Sequence, residues 1–263
     1  MINVVIITQK DNFFIPINIE KIIKNNSKDI VLIGVNVIKS KRAINSKKLH
    51  FFKGFGYIES LKYAFLIFFQ FIKDLFDTIF FYKIFGGTKS IKSVCNKNIV
   101  EYRELVNPNS KKYIDYLKSN KVDLLISFSA PIIFKEELLK TPSKGCINLH
   151  CSLLPKYSGL MPSFWVLYKN EEFTGVSIHY MDSEIDNGKL LNQQIIKIPK
   201  GISIFNLLSL TKNTGGELMC KTIKEICNGN NVVKSNKQEK KYYYSWPSIK
   251  QMNEFIRNGK KFI

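Results

Sequence analysis

The sequence lacks the glycine pattern that binds dinucleotide phosphates. Its first glycine is Gly34, so the first apolar run, Val4 to Ile7, is not followed by a Gly-x-Gly-x-x-Gly turn. That turn lets the backbone approach a pyrophosphate at the start of a helix. A dinucleotide-binding dehydrogenase therefore has little support.

Metal-binding and secretion signals are also missing. The five cysteines include no Cys-x-x-Cys pair, so neither a zinc ribbon nor a disulfide framework is expected. The first residues lack the basic start and the long apolar stretch of a secretion signal. We therefore expect a cytoplasmic protein with reduced thiols, no metal ion and a β-strand at its start.

Acidic residues are few, since 21 Asp and Glu stand against 40 Lys and Arg and the formal net charge is +19. Clustered lysines would indicate a nucleic-acid surface, because they displace counterions from phosphates. Here the lysines are scattered, and the short clusters at residues 39–42 and 237–241 have no interleaved aromatic residues. The preferred interpretation is that the scattered lysines keep the surface solvated and attract acidic small substrates.

Apolar runs of strand length alternate with amphipathic helical stretches, which predicts βαβ units and a mostly parallel sheet. After the fourth run, two β-rich segments flank a stretch whose composition is typical of a turn. A final helix is predicted because its leucines and isoleucines broadly follow helical spacing. The predicted strands are residues 4–7, 30–37, 122–128, 145–149, 175–181 and 190–198, the turn is 182–188, and the helix is 204–227.

These elements predict an α/β domain over residues 1–228, followed by a short C-terminal extension over 229–263. The extension contains Tyr242 to Pro247 and then Ile249, Met252, Phe255 and Ile256. We expect a strand and a short helix there, docked on the main body.

An apolar insertion is predicted at about residues 57–86. Within it, Leu61 to Phe85 is apolar on nearly all sides of a helix, so it should be buried, inserted in lipid or covered by a partner. Lys73, Asp74 and Asp77 are expected to interrupt it before the roughly 20 apolar residues that span a bilayer. A buried or dimer-forming helix is the preferred interpretation, and peripheral attachment at the inner membrane face is the alternative.

The candidate site lies in the second half of the chain. Asn148 and His150 are two residues apart on a predicted strand, so their side chains share one face. Asp186 follows in a predicted turn, where a carboxylate could orient the imidazole and favour its charged form. Taken singly, His150 could be a structural histidine and Asp186 only part of a turn. His179 is interpreted as structural or supporting and is left out of the catalytic set.

The motif Ile147-Asn-Leu-His-Cys-Ser-Leu-Leu-Pro155, followed by Thr174-Gly-Val-Ser-Ile-His179 and Ile185-Asp-Asn-Gly188, resembles the signature of the folate-dependent formyltransferases. The resemblance runs from about Val122 to Gln194. It implies a Rossmann-like fold, 10-formyltetrahydrofolate as the donor and no metal. It also implies Asn148, His150 and Asp186 as the catalytic set.

The same resemblance implies the binding residues. The folate pterin would lie between one wall with Ala130, Ile132 and Ile133 and another with Asp182 and Ile185. The acceptor would contact Ser152, Lys156 and Gly159, with Lys156 on a diphosphate. Asn148 and a protonated His150 would donate hydrogen bonds to the oxyanion that develops on the formyl group.

The acceptor is inferred by elimination. Few residues follow the last predicted helix, which disfavours methionyl-tRNA, and the first strand lacks a glycine-rich phosphate loop, which disfavours glycinamide ribonucleotide. A nucleotide-linked amino sugar for surface glycans is therefore expected, in a homodimer. The alternatives are those two acceptors, a lipid-linked amino sugar, or a folate-binding protein without turnover.

Overall fold

Alternating residues of the first strand face opposite sides of one sheet, and both sides are buried. Val4 and Ile6 belong to one hydrophobic core, whereas Val5 and Ile7 belong to another. Such a strand is central to the sheet, with helices on both faces. The computed structural model describes residues 1–39, 41–236 and 242–263, and for residues 41–48 it describes only the backbone. The lysine cluster at 237–241 lies outside the described residues, as does part of that at 39–42.

Seven strands form the main sheet in the order β3-β2-β1-β4-β5-β7-β8. The strands from β3 to β5 are parallel, whereas β7 runs antiparallel to β5 and β8 antiparallel to β7. A two-stranded parallel sheet pairs β6 with β9. The strands are β1 (Ile2–Gln9), β2 (Ile30–Ile38), β3 (Glu101–Leu105), β4 (Leu124–Phe128), β5 (Cys146–His150), β6 (Ser158–Gly159), β7 (Phe173–Tyr180), β8 (Leu190–Lys197) and β9 (Tyr243–Tyr244).

The helices are α1 (Ile15–Asn25), α2 (Lys41–Ile79), α3 (Ile91–Lys97), α4 (Lys111–Ser119), α5 (Glu136–Lys140), α6 (Pro162–Tyr168), α7 (Ile204–Cys227) and α8 (Ile249–Arg257). Helices α1, α3 and α7 contribute to the core on one face of the sheet, and α4 and α5 to the core on the other. Local signals begin several of them: Ser203 caps α7 through the Asn206 N–H, and Ser248 forms a capping box with Gln251 on α8. The predicted α/β fold with a mostly parallel sheet is confirmed.

The main differences from the predicted elements are β3 and the apolar insertion. Strand β3 was not predicted, because three of the five residues from Glu101 to Leu105 are charged, as an edge strand allows. The insertion is helical as expected, but it is not buried within this chain. Helix α2 bends at Gly56, whose φ of 84° lies in the left-handed region, and the residues after it are largely exposed.

The C-terminal segment is part of the packed structure. Phe255 of α8 is fully buried against Phe164 of α6, at 5.1 Å between ring centroids, and near Phe55 of α2. Strand β9 pairs with β6, and the Cβ of any larger residue at Gly159 would lie 2.3 Å from the Tyr244 carbonyl oxygen. The strand and docked helix predicted for this segment are both present.

We expect Phe255→Ala to lower the free energy of unfolding by about 3–5 kcal/mol, because it removes a fully buried ring from a packed aromatic cluster. Urea unfolding measures the change. Phe173→Ala is the matched control, since Phe173 is 50% exposed, and it should cost less than about 1 kcal/mol. Equal effects would show that α8 is not part of the cooperative unit.

Candidate active site

A cavity of about 470 Å³ opens at the carboxyl ends of the parallel strands. Gln9 ends β1, Ser129 follows β4 and His150 ends β5, and all three line the cavity. Strands β2 and β3 lie on one side of β1, and β4 and β5 on the other, so the strand order reverses between β1 and β4. In open α/β sheets that reversal creates the crevice in which ligands bind.

Asn148 and His150 both line the cavity from β5, as their two-residue spacing predicted. Their neighbours Ile147 and Leu149 belong to the hydrophobic core that packs under the sheet. The pleat of a buried strand therefore holds an amide and an imidazole side by side.

Both ring nitrogens of His150 have protein partners. Its Nε2 donates to the Tyr157 carbonyl oxygen at 2.8 Å, and its Nδ1 lies 3.4 Å from the Asp186 carboxylate. The ring is 6% exposed. His150 is therefore oriented by one carbonyl and one carboxylate rather than directed at the centre of the cavity.

The Asp186 side chain faces residues of both strands of the site, β5 and β7. It follows β7 with a φ of 54°, in the left-handed region, and its Oδ2 accepts a hydrogen bond of 2.8 Å from the Gly159 N–H. Its Oδ1 lies 3.6 Å from His179 Nε2, while Oδ2 faces His150. One carboxylate thus lies between two imidazoles.

Burial pushes the pKa of Asp186 upward, because a charge loses hydration there. The opposing effects are stronger: the charge of His150, the hydrogen bond and charge of His179, and the Gly159 N–H together hold the pKa of Asp186 well below its ordinary value. The Asp186 carboxylate therefore stays ionised at neutral pH. It gives this part of the cavity a permanent negative charge.

His179 is a site residue that the sequence interpretation left out of the catalytic set. It lies directly opposite Asn148 in the β5–β7 pairing. Its Nδ1 donates to the Tyr180 carbonyl oxygen at 2.7 Å, and its Nε2 lies 3.2 Å from Asn148 Nδ2. The His179 ring therefore lies between the Asn148 amide and the Asp186 carboxylate and packs both against β7. The position of His179 in the site follows from the cross-strand register, which cannot be read from a single sequence.

The residues expected to wall the pterin do line the cavity. Ala130, Ile132 and Ile133 follow β4 on one side, and Asp182 and Ile185 follow β7 on the other. Together with Met181 they make a mostly apolar slot with a polar closed end, the usual composition of a small-molecule site. Over the described residues, no group of three His, Cys, Asp or Glu side chains could hold a metal ion.

Only one of the three predicted acceptor-binding residues lines the cavity. Gly159 does so, through backbone whose φ is 95°. Ser152 is fully buried, and its hydroxyl donates to the carbonyl oxygens of Lys156 and Tyr157, so it braces the loop. Lys156 is exposed and its side chain is not among the lining groups. The structure therefore does not bring Ser152 and Lys156 into the site.

Several other lining residues were not predicted, among them Lys212 and Trp246. Lys212 of α7 is 7% exposed, and its ammonium donates to the Ser129 hydroxyl. Trp246 reaches the cavity from the C-terminal segment. Lys212 could have been predicted from its position, because it follows Leu208 by four residues and so lies on the inner face of an amphipathic helix. Trp246 had no such signal, because its place depends on the β6–β9 pairing.

Comparison with known proteins gives a family match over the central and C-terminal parts of this fold. The family model described as formyl transferase matches residues 86–223, just over half of the chain. That span includes β4, β5, β7 and α7, which carry most of the cavity. Helix α2 lies outside it.

Two of the curated relatives show the extent of the sequence similarity. The bifunctional polymyxin resistance protein ArnA of Wigglesworthia glossinidia brevipalpis is 46% identical over 116 residues, which is 44% of this chain and 17% of that protein. The methionyl-tRNA formyltransferase of Clostridioides difficile strain 630 is 33% identical over 144 residues, 55% of this chain and 47% of that enzyme. The chain spans less than half the length of either relative.

Among solved structures, the N-formyltransferase from Helicobacter canadensis, in complex with folinic acid and dTDP-3-aminofucose, has the same fold. Its TM-score is 0.59 at 20% identity, covering 97% of this chain and 80% of that chain.

The low pKa of Asp186 predicts a pH-dependent contribution to stability. A carboxyl with a lowered folded-state pKa stabilises the fold above its ordinary pKa and loses that contribution as the pH falls. We expect Asp186→Asn to lower the free energy of unfolding at pH 7 by about 1–3 kcal/mol. The gap from wild type should shrink as the pH falls below about 4.

Urea unfolding of both proteins from pH 7 to pH 3 measures that gap. Asp182→Asn is the control, because Asp182 is exposed and its variant should track wild type throughout. A gap for Asp186→Asn that stays constant with pH would contradict the assignment of an ionised, stabilised carboxylate.

Proposed function

The chain belongs to the formyl transferase family, and we propose that it transfers the formyl group of 10-formyltetrahydrofolate to the amine of a nucleotide-linked amino sugar for surface glycans. The observation that carries the reaction class is the convergence of Asn148, His150 and Asp186 at the closed end of one cavity. Among the cavities formed by the described residues, this one is lined by all three side chains.

The cavity suits a reduced folate in size and composition. Its volume lies within the range of small-molecule sites. Ile132, Ile133 and Ile185 are among its lining residues, and such apolar side chains suit the faces of a flat pterin ring. When bound, the folate supplies an activated formyl carbon.

Asn148 is the residue best placed to act on the formyl oxygen. The strand pairing and the contact with His179 at 3.2 Å hold its amide in place before any ligand binds. A fixed donor stabilises negative charge as it develops on that oxygen, without reorganisation. His150 was expected to supply a second such bond, but both of its nitrogens face protein acceptors, so in this arrangement it acts through Asp186.

Asp186 is the group that handles the proton. As the acceptor nitrogen bonds to the formyl carbon and the bond to the folate nitrogen breaks, one proton must leave the amine and one must reach the folate nitrogen. The ionised Asp186 accepts a hydrogen bond from the attacking amine and helps pass its proton on through water. His150, whose Nδ1 lies 3.4 Å from the carboxylate, holds Asp186 in position for this step.

Two features support a nucleotide-linked amino sugar as the acceptor. Lys212 places a buried positive charge on the cavity, and across the described ranges no ion pair neutralises it. An unpaired buried charge is costly unless a ligand or water compensates it, and a nucleotide diphosphate would do so. The Helicobacter canadensis enzyme of the same fold is in complex with dTDP-3-aminofucose. Methionyl-tRNA remains the competing acceptor because a curated relative bears that name.

The activity test is formyl transfer from 10-formyltetrahydrofolate to a panel of nucleotide-linked amino sugars, with glycinamide ribonucleotide and methionyl-tRNA as competing acceptors. We expect turnover with one sugar. Asn148→Ala should lower kcat by about 10²–10³-fold, because it removes the fixed donor. Asn206→Ala, on the exposed face of α7, is the matched control. Turnover with methionyl-tRNA alone would refute the acceptor, and full activity of Asn148→Ala would refute the site.

Lys212 generates a separate prediction. Lys212→Met should raise the acceptor KM about tenfold or more and leave the folate KM nearly unchanged, because the lost charge binds the acceptor's diphosphate. Lys212→Arg should retain most of the affinity. Lys221→Met, at an exposed position of the same helix, is the control. A KM increase confined to the folate would show that Lys212 binds the donor instead.

A further inference from the structure

The part of α2 after Gly56 is inverted relative to an ordinary surface helix. Its inward stripe is mostly polar, and its outward side is apolar and aromatic. The inward stripe consists of Glu59, Tyr63, Leu66, Gln70, Asp74 and Asp77, at spacings of three and four residues. The outward residues of the helix, each at least 42% exposed, are Leu61, Phe65, Ile67, Phe68, Phe69, Phe71, Leu75, Phe76 and Ile79, and the exposed Phe80 and Phe81 follow directly after it.

Polar contacts hold the inward stripe to the body of the protein. Glu59 accepts from the backbone N–H groups of Phe262 and Ile263, and Gln70 donates to the Asn12 carbonyl oxygen. Asp77 is fully buried and accepts from three backbone N–H groups in residues 84–87. These satisfied contacts fix which side of the helix faces outward.

The outward side is too large and too continuous to be ordinary surface. Soluble monomers rarely expose a contiguous apolar patch of this extent without a partner. The helix Leu49–Ile79 also has the length and composition to cross a membrane, with a mean hydropathy of 1.2 and only 11% of the apolar window buried. The helix meets this test by length and composition alone, and Lys73, Asp74 and Asp77, which were expected to interrupt its apolar run, lie within it.

Charge distinguishes the outward side from the inward one. All three acidic residues of the segment are turned inward, onto backbone amides or, for Asp74, onto the Ser93 hydroxyl. The exposed charges are those of lysines: Lys53, Lys73 and Lys83, and Lys62, which also pairs with Glu59. The exposed charges of residues 57–83 are thus all positive, on a chain whose net charge is +19.

We propose that this face of α2 binds the surface of an anionic lipid bilayer, with the aromatic side chains in the headgroup region and the lysines on the phosphates. Phenylalanine and leucine on one side with lysine at the border is the composition of an interfacial helix. The inward contacts run from Glu59 to Asp77, about 27 Å at 1.5 Å per residue. A helix held along that length lies on the membrane and does not cross it.

A second copy of the chain fits this face less well. A two-fold contact would place the same lysine-bordered surface on itself, with no acidic side chain on the outward side to oppose Lys73 and Lys83. An anionic membrane supplies both the apolar layer and the opposite charge. The face is therefore complementary in charge and polarity to an anionic membrane. Two copies of it would instead bring like charges together.

Flotation of the full chain with vesicles tests the proposal. We expect the protein to float with vesicles of seven parts phosphatidylcholine to three parts phosphatidylglycerol, and at least about tenfold less with pure phosphatidylcholine. The variant Phe65→Gln, Phe68→Gln, Phe76→Gln should lower the partition coefficient about tenfold or more. Phe173→Gln, Ile195→Gln alters exposed apolar residues of β7 and β8 and should bind like wild type.

Circular dichroism melting confirms that each variant is folded, so that lost binding reflects the surface. Lys73→Glu, Lys83→Glu should weaken binding to the anionic vesicles alone. Absence of flotation by the wild type, or equal flotation of the triple variant, would overturn the proposal. So would a stable dimer by light scattering that the triple variant abolishes while vesicles bind neither protein. Retention on vesicles after alkaline carbonate extraction would instead show a spanning helix and contradict the docked arrangement.

Discussion

The buried carboxylate of Asp186 is the interaction on which the closed end of the cavity depends. It faces His150 of β5 and His179 of β7, and it accepts the N–H of Gly159 in β6. Because an ionised carboxylate in a nearly dry position must be compensated, these elements cannot separate without a large free-energy cost. The charge thus determines both the shape of the site and its electrostatics.

The same contact connects the site to the end of the chain. Strand β6, which supplies the Gly159 N–H, pairs with β9, and that pairing leads to Trp246 in the cavity. On the other side, the Asn236 amide donates to the carbonyl oxygens of Asp186 and Gly188. The residues that follow α7 therefore contact the Asp186 loop and also supply Trp246 to the wall of the cavity.

Much of this arrangement could be predicted from the sequence, because local patterns determine it. Strands β1, β2 and β4 are mostly apolar runs, and α7 has helical spacing from Ile204 to Cys227. Asn148 and His150 share a face through the strand period alone. What could not be predicted depends on pairing between distant segments. The place of His179 opposite Asn148, the charge of Lys212 beside Ser129 and the arrival of Trp246 follow from register and packing.

Helix α2 illustrates the same limit in a different way. Its composition shows that an apolar surface exists, but composition cannot tell which side the body covers. That choice is made by the acidic residues: buried backbone amides near Asp77 and the C-terminal amides near Glu59 need acceptors, and only carboxylates on one stripe supply them. Once those residues face inward, the phenylalanines must face outward. The polar contacts of the fold, rather than its hydrophobic ones, thus create the apolar surface that we assign to the membrane.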